Sequence, residues 1–441
     1  MRIALITLGC PKNLIDAEHM LGALHEAGHV LVGDPASADV VIVNTCSFIE
    51  SAVRESTETV NEVLGLSSEG WTGSVVVAGC LPERYGSRTV EMLPGVDGVV
   101  GCSAVNRIVE TVEDAAAGRR PVHVGVWDAP VDGRFPRILG TPAHVAYLRI
   151  SEGCDNRCAY CVIPSIRGPL RSRPSREIIA EAERLSEGGV RELVPVAQDI
   201  TAYGMDIASE TSLAGLLREL DAVGVPWLRL LYAHPARVTD DVIGAIAGLP
   251  HVVRYLDMPI QHISDGVLRS MGRGMDGSGI RDLVARIRDR VPGIALRTSV
   301  MVGFPGEGEA EFEELSEFLN SGAFDHVGVF GYSPEAGTDA VALGDGAPRE
   351  VARERAERLV REAKARTEAR HRALAGSEID VLIDEPGPRA VGRSEALAWE
   401  LDGVVLIDDP SLTLAPGDFV RVRVVGASGF DIEAELPGPR I

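Results

Sequence analysis

Cys154-Asp155-Asn156-Arg157-Cys158-Ala159-Tyr160-Cys161 carries three thiols within eight residues. Three thiolates hold three irons of a [4Fe–4S] cube and leave the fourth open to bind a small molecule and pass it an electron. A structural zinc site needs four ligands, commonly as two close pairs, and no fourth Cys or His lies nearby. A ferredoxin-type run, C-x2-C-x2-C-x3-C ending in Cys-Pro, fills every iron. Cysteines buried only for packing rarely cluster this tightly.

The loop directly follows Ala146–Ile150, an apolar run of strand length. Glu192–Ala197, Leu228–Tyr232, Tyr255–Met258, Ala295–Val302 and His326–Phe330 repeat the pattern, with amphipathic helical stretches between them. Six such units predict a partial β/α barrel, open on one side, with the cysteines on the face where barrel active sites gather. Upstream, Ile3–Leu8, Val40–Asn44 and Val75–Ala78 alternate with helical stretches, which predicts a layer with an open parallel sheet. Each run leads into a cysteine: Gly9-Cys10, Thr45-Cys46 and Gly79-Cys80. Ligands of open parallel sheets sit beyond the carboxyl ends of the strands. Cys10, Cys46 and Cys80 are therefore expected to converge as a second three-thiolate site. Cys102 falls outside both triads and reads as an incidental strand-end thiol.

Pro and Gly make Pro121–Pro142 a linker. Pro348–Ala375 reads as one long helix of mixed Glu and Arg. Beyond Gly376, Glu378–Ile383, Gly403–Ile407, Phe419–Val425 and Phe430–Glu435 predict a small β-barrel. The expected domains are residues 1–125, 140–345, a connector at 348–375, and 376–441.

The 441 residues carry 43 basic and 65 acidic side chains, a net charge of −22. Between Ser377 and Leu436 stand 13 acids and 4 bases, with no basic stripe interleaved with aromatics. Such a surface suits a basic protein partner better than nucleic acid, which is gripped through its phosphates. No run is long enough to span a membrane, and the apolar start at Met1–Ile6 lacks a cleavage pattern, so a cytoplasmic location is expected. Seven cysteines, an odd number, argue for reduced, metal-binding thiols. There is no G-x-x-x-x-G-K-[ST] loop and no H-E-x-x-H.

The order of Cys10, Cys46 and Cys80 ahead of Cys154, Cys158 and Cys161 resembles the methylthiotransferases, a family of radical S-adenosylmethionine (SAM) enzymes, across essentially the whole chain. Leu8-Gly9-Cys10-Pro11-Lys12-Asn13-Leu14-Ile15-Asp16 and Asn44-Thr45-Cys46-Ser47-Phe48-Ile49 are similar to the RimO branch, which modifies an aspartate of small-subunit ribosomal protein twelve. In the tRNA-modifying MiaB branch, Gln-Met-Asn typically follows the first cysteine. Val196–Gly204, Tyr255–His262 and Gly392-Arg393-Ser394-Glu395 also resemble the RimO branch.

The resemblance implies an α/β architecture: an N-terminal open parallel-sheet domain, a central partial (β/α)6 radical-SAM barrel and a C-terminal small all-β TRAM-like barrel. It implies two [4Fe–4S] clusters on the two cysteine triads, SAM as cofactor, and an electron donor. The β-carbon of an aspartate bears no usefully acidic proton, so homolysis by a SAM-derived radical is the chemistry expected. No catalytic acid or base is assigned. Tyr160, Gln198, Asp199, Gly303 and Glu307 are the expected SAM contacts, the last two because glycines in Gly303-Phe304-Pro305-Gly306-Glu307 would let backbone approach the cofactor. Arg167 and Arg171 are candidates to pair with a carboxylate of SAM or substrate, and His234 and His262 to line the pocket. The competing expectations are a tRNA methylthiotransferase and a non-catalytic iron–sulfur electron carrier.

Overall fold

The computed structural model describes residues 1–125, 137–207, 211–410 and 412–437. Residues 126–136 of the expected linker, and 438–441 of the expected last domain, lie outside the described residues.

The first layer is a six-stranded, all-parallel sheet: β1 (Arg2–Thr7), β2 (Val30–Leu31), β3 (Val40–Thr45), β4 (Ser74–Gly79), β5 (Gly98–Gly101) and β6 (Val122–His123), in the order β2-β1-β3-β4-β5-β6. β3 is buried along its whole length because helices cover both faces. Ile3, Ile42, Val76 and Val100 pack one side with Met20 and Leu24, while Val41, Val43, Val77 and Val99 pack the other with Val60 and Val63. β6 falls inside the expected linker, which therefore begins later than Pro121. Gly98-Val99-Val100-Gly101 is too short and too glycine-flanked to read as a strand in isolation.

The second layer is the open barrel. Its strands are β7 (Val145–Arg149), β10 (Glu192–Val196), β11 (Trp227–Leu230), β12 (Val252–Asp257), β13 (Ala295–Val302) and β14 (His326–Gly331), all parallel, in the order β14-β13-β12-β11-β10-β7. β8 (Ser151–Glu152) and β9 (Arg171–Ser172) form a small antiparallel pair across the cysteine loop. Leu148, Leu193, Leu230, Leu256 and Leu296 face the surrounding helices.

A helix, Arg349–Arg372, leads to a closed five-stranded barrel of β15 (Glu378–Glu385), β16 (Arg389–Arg393), β17 (Val405–Asp408), β18 (Phe419–Ser428) and β19 (Asp431–Glu435). The small barrel sits against the amino ends of the large barrel's strands. Its β16–β17 loop enters the bore there: Ala398 joins Tyr147, Val194 and Tyr255 in one apolar cluster, and the Trp399 ring lies 6.1 Å from that of Tyr147. Buried charges lock the joint. Glu192 accepts from both Arg229 and Arg393, and Arg393 also pairs with Asp384 at 2.7 Å. Asp402 accepts from the Tyr255 hydroxyl at 2.7 Å. Burial pushes the Glu192 carboxyl up, but the two guanidiniums outweigh it and leave it below the usual glutamate range.

That sign sets an acid dependence. The stability lent by Glu192 is complete above the ordinary glutamate pKa and is lost as pH falls through the lowered native value. Glu192→Ala leaves two buried guanidiniums without their shared anion and should destabilise the joint by about 3–5 kcal/mol. Urea unfolding followed by tryptophan fluorescence checks this, since Trp227 and Trp399 both lie at the joint. The variant should also lose the part of the acid-induced fall in stability that Glu192 contributes below the ordinary glutamate pKa.

Candidate active site

Cys10, Cys46 and Cys80 stand at the carboxyl ends of β1, β3 and β4, as the sheet topology requires. Two glycines make the approach possible. A Cβ on Gly9 (φ +92°) would stand 2.8 Å from Cys46 Cβ, and one on Gly79 (φ +92°) 2.3 Å from Asn44 Oδ1. Asn13 ties the loops together, its Nδ2 donating to Leu8 O at 3.0 Å and Thr45 O at 2.8 Å. Ser56 Oγ accepts from Cys46 N and donates to Cys46 O. Cys10 stands at the N-cap position of helix α1 (Pro11–Glu26).

The barrel triad is pinned just as closely. Gly153 (φ +77°) crosses the Gly168–Pro169 backbone, where a Cβ would meet Pro169 O at 1.9 Å. Cys154 N donates to Gly168 O, Leu170 N to Asp155 Oδ1, and Ala159 N to Met271 O. Asn156 Nδ2 donates to Asp199 Oδ2 at 2.9 Å.

All six thiols line one cavity of about 390 Å³ at the seam between the two layers. Lys12, Tyr160, Arg167, Gln198, Tyr232 and Arg273 complete much of its wall. Among the described residues, no three His, Cys, Asp or Glu side chains stand close enough to hold one metal ion. Zinc would need ligands gathered around a point. A cube binds each thiolate to a different iron and so asks for wider-set thiols. Burial pushes Cys46 up to about 11 and Cys161 up to about 12, so these thiols ionise readily only with a metal to bind. Cys80 differs: a hydrogen bond from Cys102 and then the Arg167 charge outweigh burial and bring it to about 7. Cys102 thus packs beside Cys80, with its Sγ 3.2 Å from Ile166 O.

The seam itself is polar. Asp16 of α1 is buried and accepts from Arg149 Nη2 at 2.5 Å and Arg167 Nη1 at 2.8 Å. Arg167 Nη2 donates to Asn13 Oδ1 at 2.5 Å and lies 3.4 Å from Cys80 Sγ. Arg137 bridges Glu18 of α1 to Glu181 of the barrel. Across the cavity, Glu335 beyond β14 accepts from Arg84 Nη2 at 2.7 Å and from Glu50 N at 2.8 Å, the latter opening helix α2 (Glu50–Gly65).

The structure sorts the remaining expected residues. Tyr160 lines the cavity, with its hydroxyl 3.4 Å from Arg273 Nη1 and its ring edge-on to Phe304. Gln198 also lines it; Nε2 donates to Glu152, and the buried Oε1 lacks a hydrogen-bond partner among the described residues. Asp199 is held by Arg237 and Thr201 and braces the cysteine loop through Asn156. His234 lines the wall, its pKa pushed down to about 3 by burial and by Arg273. His262 does not; it is fully buried beside Glu307. Gly303 and Glu307 also lie outside the cavity lining. The open Cα of Gly303 faces Ala352, where a Cβ would stand 2.8 Å away, and the Glu307 carboxylate binds Gly303 N and Arg355. Their segment backs Tyr160 through Phe304. Arg167 belongs to the seam, and Arg171 on β9 does not line the cavity.

Four wall residues carried no sequence signal for this role: Lys12, Tyr232, Gln261 and Arg273. Tyr232 (φ +63°) and Gln261 (φ +72°) hold left-handed backbone that side-chain-bearing residues seldom adopt, a strain that collects at functional sites. Arg273 donates to Pro259 O at 2.7 Å and lies 3.4 Å from Cys158 Sγ.

Comparison with known proteins agrees with this geometry. Residues 2–101 match the model of "Uncharacterized protein family UPF0004", residues 148–319 the Radical SAM superfamily, and residues 375–436 the TRAM domain. A solved structure of the radical S-adenosylmethionine methyltransferase TsrM from Kitasatospora setae shares the fold, with a TM-score of 0.55 at 18% identity over 74% of this chain and 72% of that one. The chain is a radical-SAM enzyme built around two facing thiol triads. It is 45% identical to a ribosomal protein uS12 methylthiotransferase RimO of Anaeromyxobacter sp. (strain K), over 98% of this chain and 92% of the relative. The RimO of Geobacter sulfurreducens is 43% identical over 99% and 98%. This chain belongs to the RimO family of methylthiotransferases.

Replacing Asp16 by Ala leaves Arg149 and Arg167, both of the barrel layer, buried at the seam without the anion that α1 supplies. Hydrogen exchange should accelerate in α1 and in the Ile163–Arg167 helix, with the two sheets still protected. Unchanged protection in both helices would show that the seam does not depend on this carboxylate.

Proposed function

We propose that this protein inserts sulfur and a methyl group at the β-carbon of an aspartate in small-subunit ribosomal protein twelve. The observation that carries the reading is the single cavity shared by two cysteine triads from two different domains. Cys154, Cys158 and Cys161 would hold the [4Fe–4S] cluster that binds SAM, and Cys10, Cys46 and Cys80 a second cluster. Bound there, the clusters and SAM supply the one-electron chemistry, the sulfur and the methyl group. An external one-electron donor is required.

The chain's own task is placement and exclusion of water. The Tyr160 ring is fixed by Phe304 and is offered to the adenine of SAM. The unpartnered Gln198 Oε1 is an acceptor for the SAM amino group. Arg273, beside Cys158, offers a guanidinium to the SAM carboxylate. Gly303 and Glu307 act only behind Tyr160.

The small barrel sits at the far end of the strands, about 20 Å from the cavity at the usual rise per residue. Each of its four arginines faces an acid: Arg389 pairs with Glu433, Arg393 with Asp384, Arg421 with Glu378 and Arg423 with Glu435. The surplus acids favour a basic stretch of the ribosomal protein, away from the reacting aspartate, over an RNA phosphate backbone. Among the described residues no helix is long and apolar enough to cross a membrane, which accords with action in the cytoplasm.

Reconstituted protein, incubated anaerobically with SAM, dithionite and a peptide from the ribosomal-protein loop, should give a methylthio mass gain on the aspartate together with 5′-deoxyadenosine. Deoxyadenosine without peptide modification would transfer the reading to tRNA. Neither product, with both clusters loaded, would end it. Gly9→Ala should push Cys46 out of place and lower reconstituted iron by about half, since a Cβ cannot fit at that φ. Iron analysis and electron paramagnetic resonance check that the barrel cluster alone remains.

A further inference from the structure

Lys12 is an expensive residue to keep where it is. It is the second residue of α1, in the first turn, where the helix's own field already repels a cation. It is only 9% exposed, and its ammonium lies 3.2 Å from the centroid of the Tyr232 ring. The side chain starts beside Cys10 and ends on the wall formed by the barrel, so it crosses the cavity's seam. Arg167, a second cation, lines the same wall.

Among the described residues no carboxylate pairs with Lys12. The nearby acids are engaged elsewhere: Asp16 with Arg149 and Arg167, Glu152 with Gln198, Asp257 with Arg297, and Asp199 with Arg237. A buried ammonium whose nearest anionic neighbour is the Cys10 sulfur, with no carboxylate of its own, attracts a ligand that brings one. Tyr232 holds its strained backbone through a bond from its N to Asp257 Oδ2 at 3.0 Å, which fixes the ring beneath the ammonium. Aromatic support of this kind orients a cation and leaves its remaining donors free. The barrel side of the cavity has its own cation, Arg273, next to Cys158. Lys12 belongs instead to the loop of the N-terminal triad.

We propose that Lys12 is the specificity residue for substrate: it binds the side-chain carboxylate of the aspartate and so fixes the β-carbon, one bond away, between the two thiol triads. This rests on the reading of the substrate given above. A neutral adenine presents no anion to this ammonium, whereas an aspartate presents one on the carbon next to the reacting position.

The test compares holoenzyme and Lys12→Met on two ribosomal-protein peptides, one with the target aspartate and one with asparagine there. Peptide affinity is read by fluorescence anisotropy, SAM affinity and iron content alongside it. Wild type should bind the aspartate peptide about 10–100-fold more tightly than the asparagine peptide, the range of a charge-assisted hydrogen bond. Lys12→Met should bind both equally weakly while its SAM affinity holds. A Met variant that keeps the aspartate preference overturns the assignment, as does one that loses SAM affinity alone. Lys12→Arg keeps the charge and guards against a Met variant that fails to load its clusters. With both clusters in place it should retain the preference, and its loss would equally overturn the assignment. Failure of wild type itself to modify the aspartate peptide would count against the reaction and not against Lys12 alone.

Discussion

One buried carboxylate, Asp16, sits between two guanidiniums that come from the other layer of the molecule. Removing three charges from water is costly, and their mutual attraction repays it only when the geometry is good and the remaining donors are satisfied. Here Arg167 also reaches Asn13, and Asn13 also holds the loops of Cys10 and Cys46, while Arg149 Nε stays buried with no partner among the described residues. The same side chains therefore align the domains and position the thiols. Small shifts of α1 cannot occur without disturbing Cys10 and Cys80. These contacts hold two triads from separate domains on one cavity.

The bore of the large barrel is filled by a second set of charges. Asp402 from the small barrel meets Arg297, which pairs with Asp257, which in turn accepts from the backbone of Tyr232 at the cavity wall. The series runs the length of the strands. It gives the small barrel a structural part in the large one as well as its exposed acidic surface. Arg393, placed within a string that resembles the family's last domain, is consumed in that joint and is not displayed to any ligand.

Much of this was legible in the sequence because strands of a parallel sheet are buried on both faces and read as unbroken apolar runs. β1, β3, β4 and the six barrel strands announced themselves in this way, and cysteines at strand ends gave the site. β16 did not: Arg389–Arg393 is polar, and its pairing with Glu192 is set by a strand far away in the chain. Gly303 shows a related limit. Glycine signals that something approaches its Cα but not what, and here one such neighbour is Ala352. Arg273 and the left-handed Tyr232 and Gln261 owe their places to tertiary contacts that no local pattern records.

The loop that plugs the barrel follows all six barrel strands in the chain and so is synthesised after them. A ribosome exports the six barrel strands well before Arg393, Ala398 and Asp402 emerge. Until then Glu192 and Arg229 have each other, but Glu192 lacks Arg393 and Tyr255 lacks Asp402. The amino end of the barrel is thus completed only once the small barrel's loop is in place.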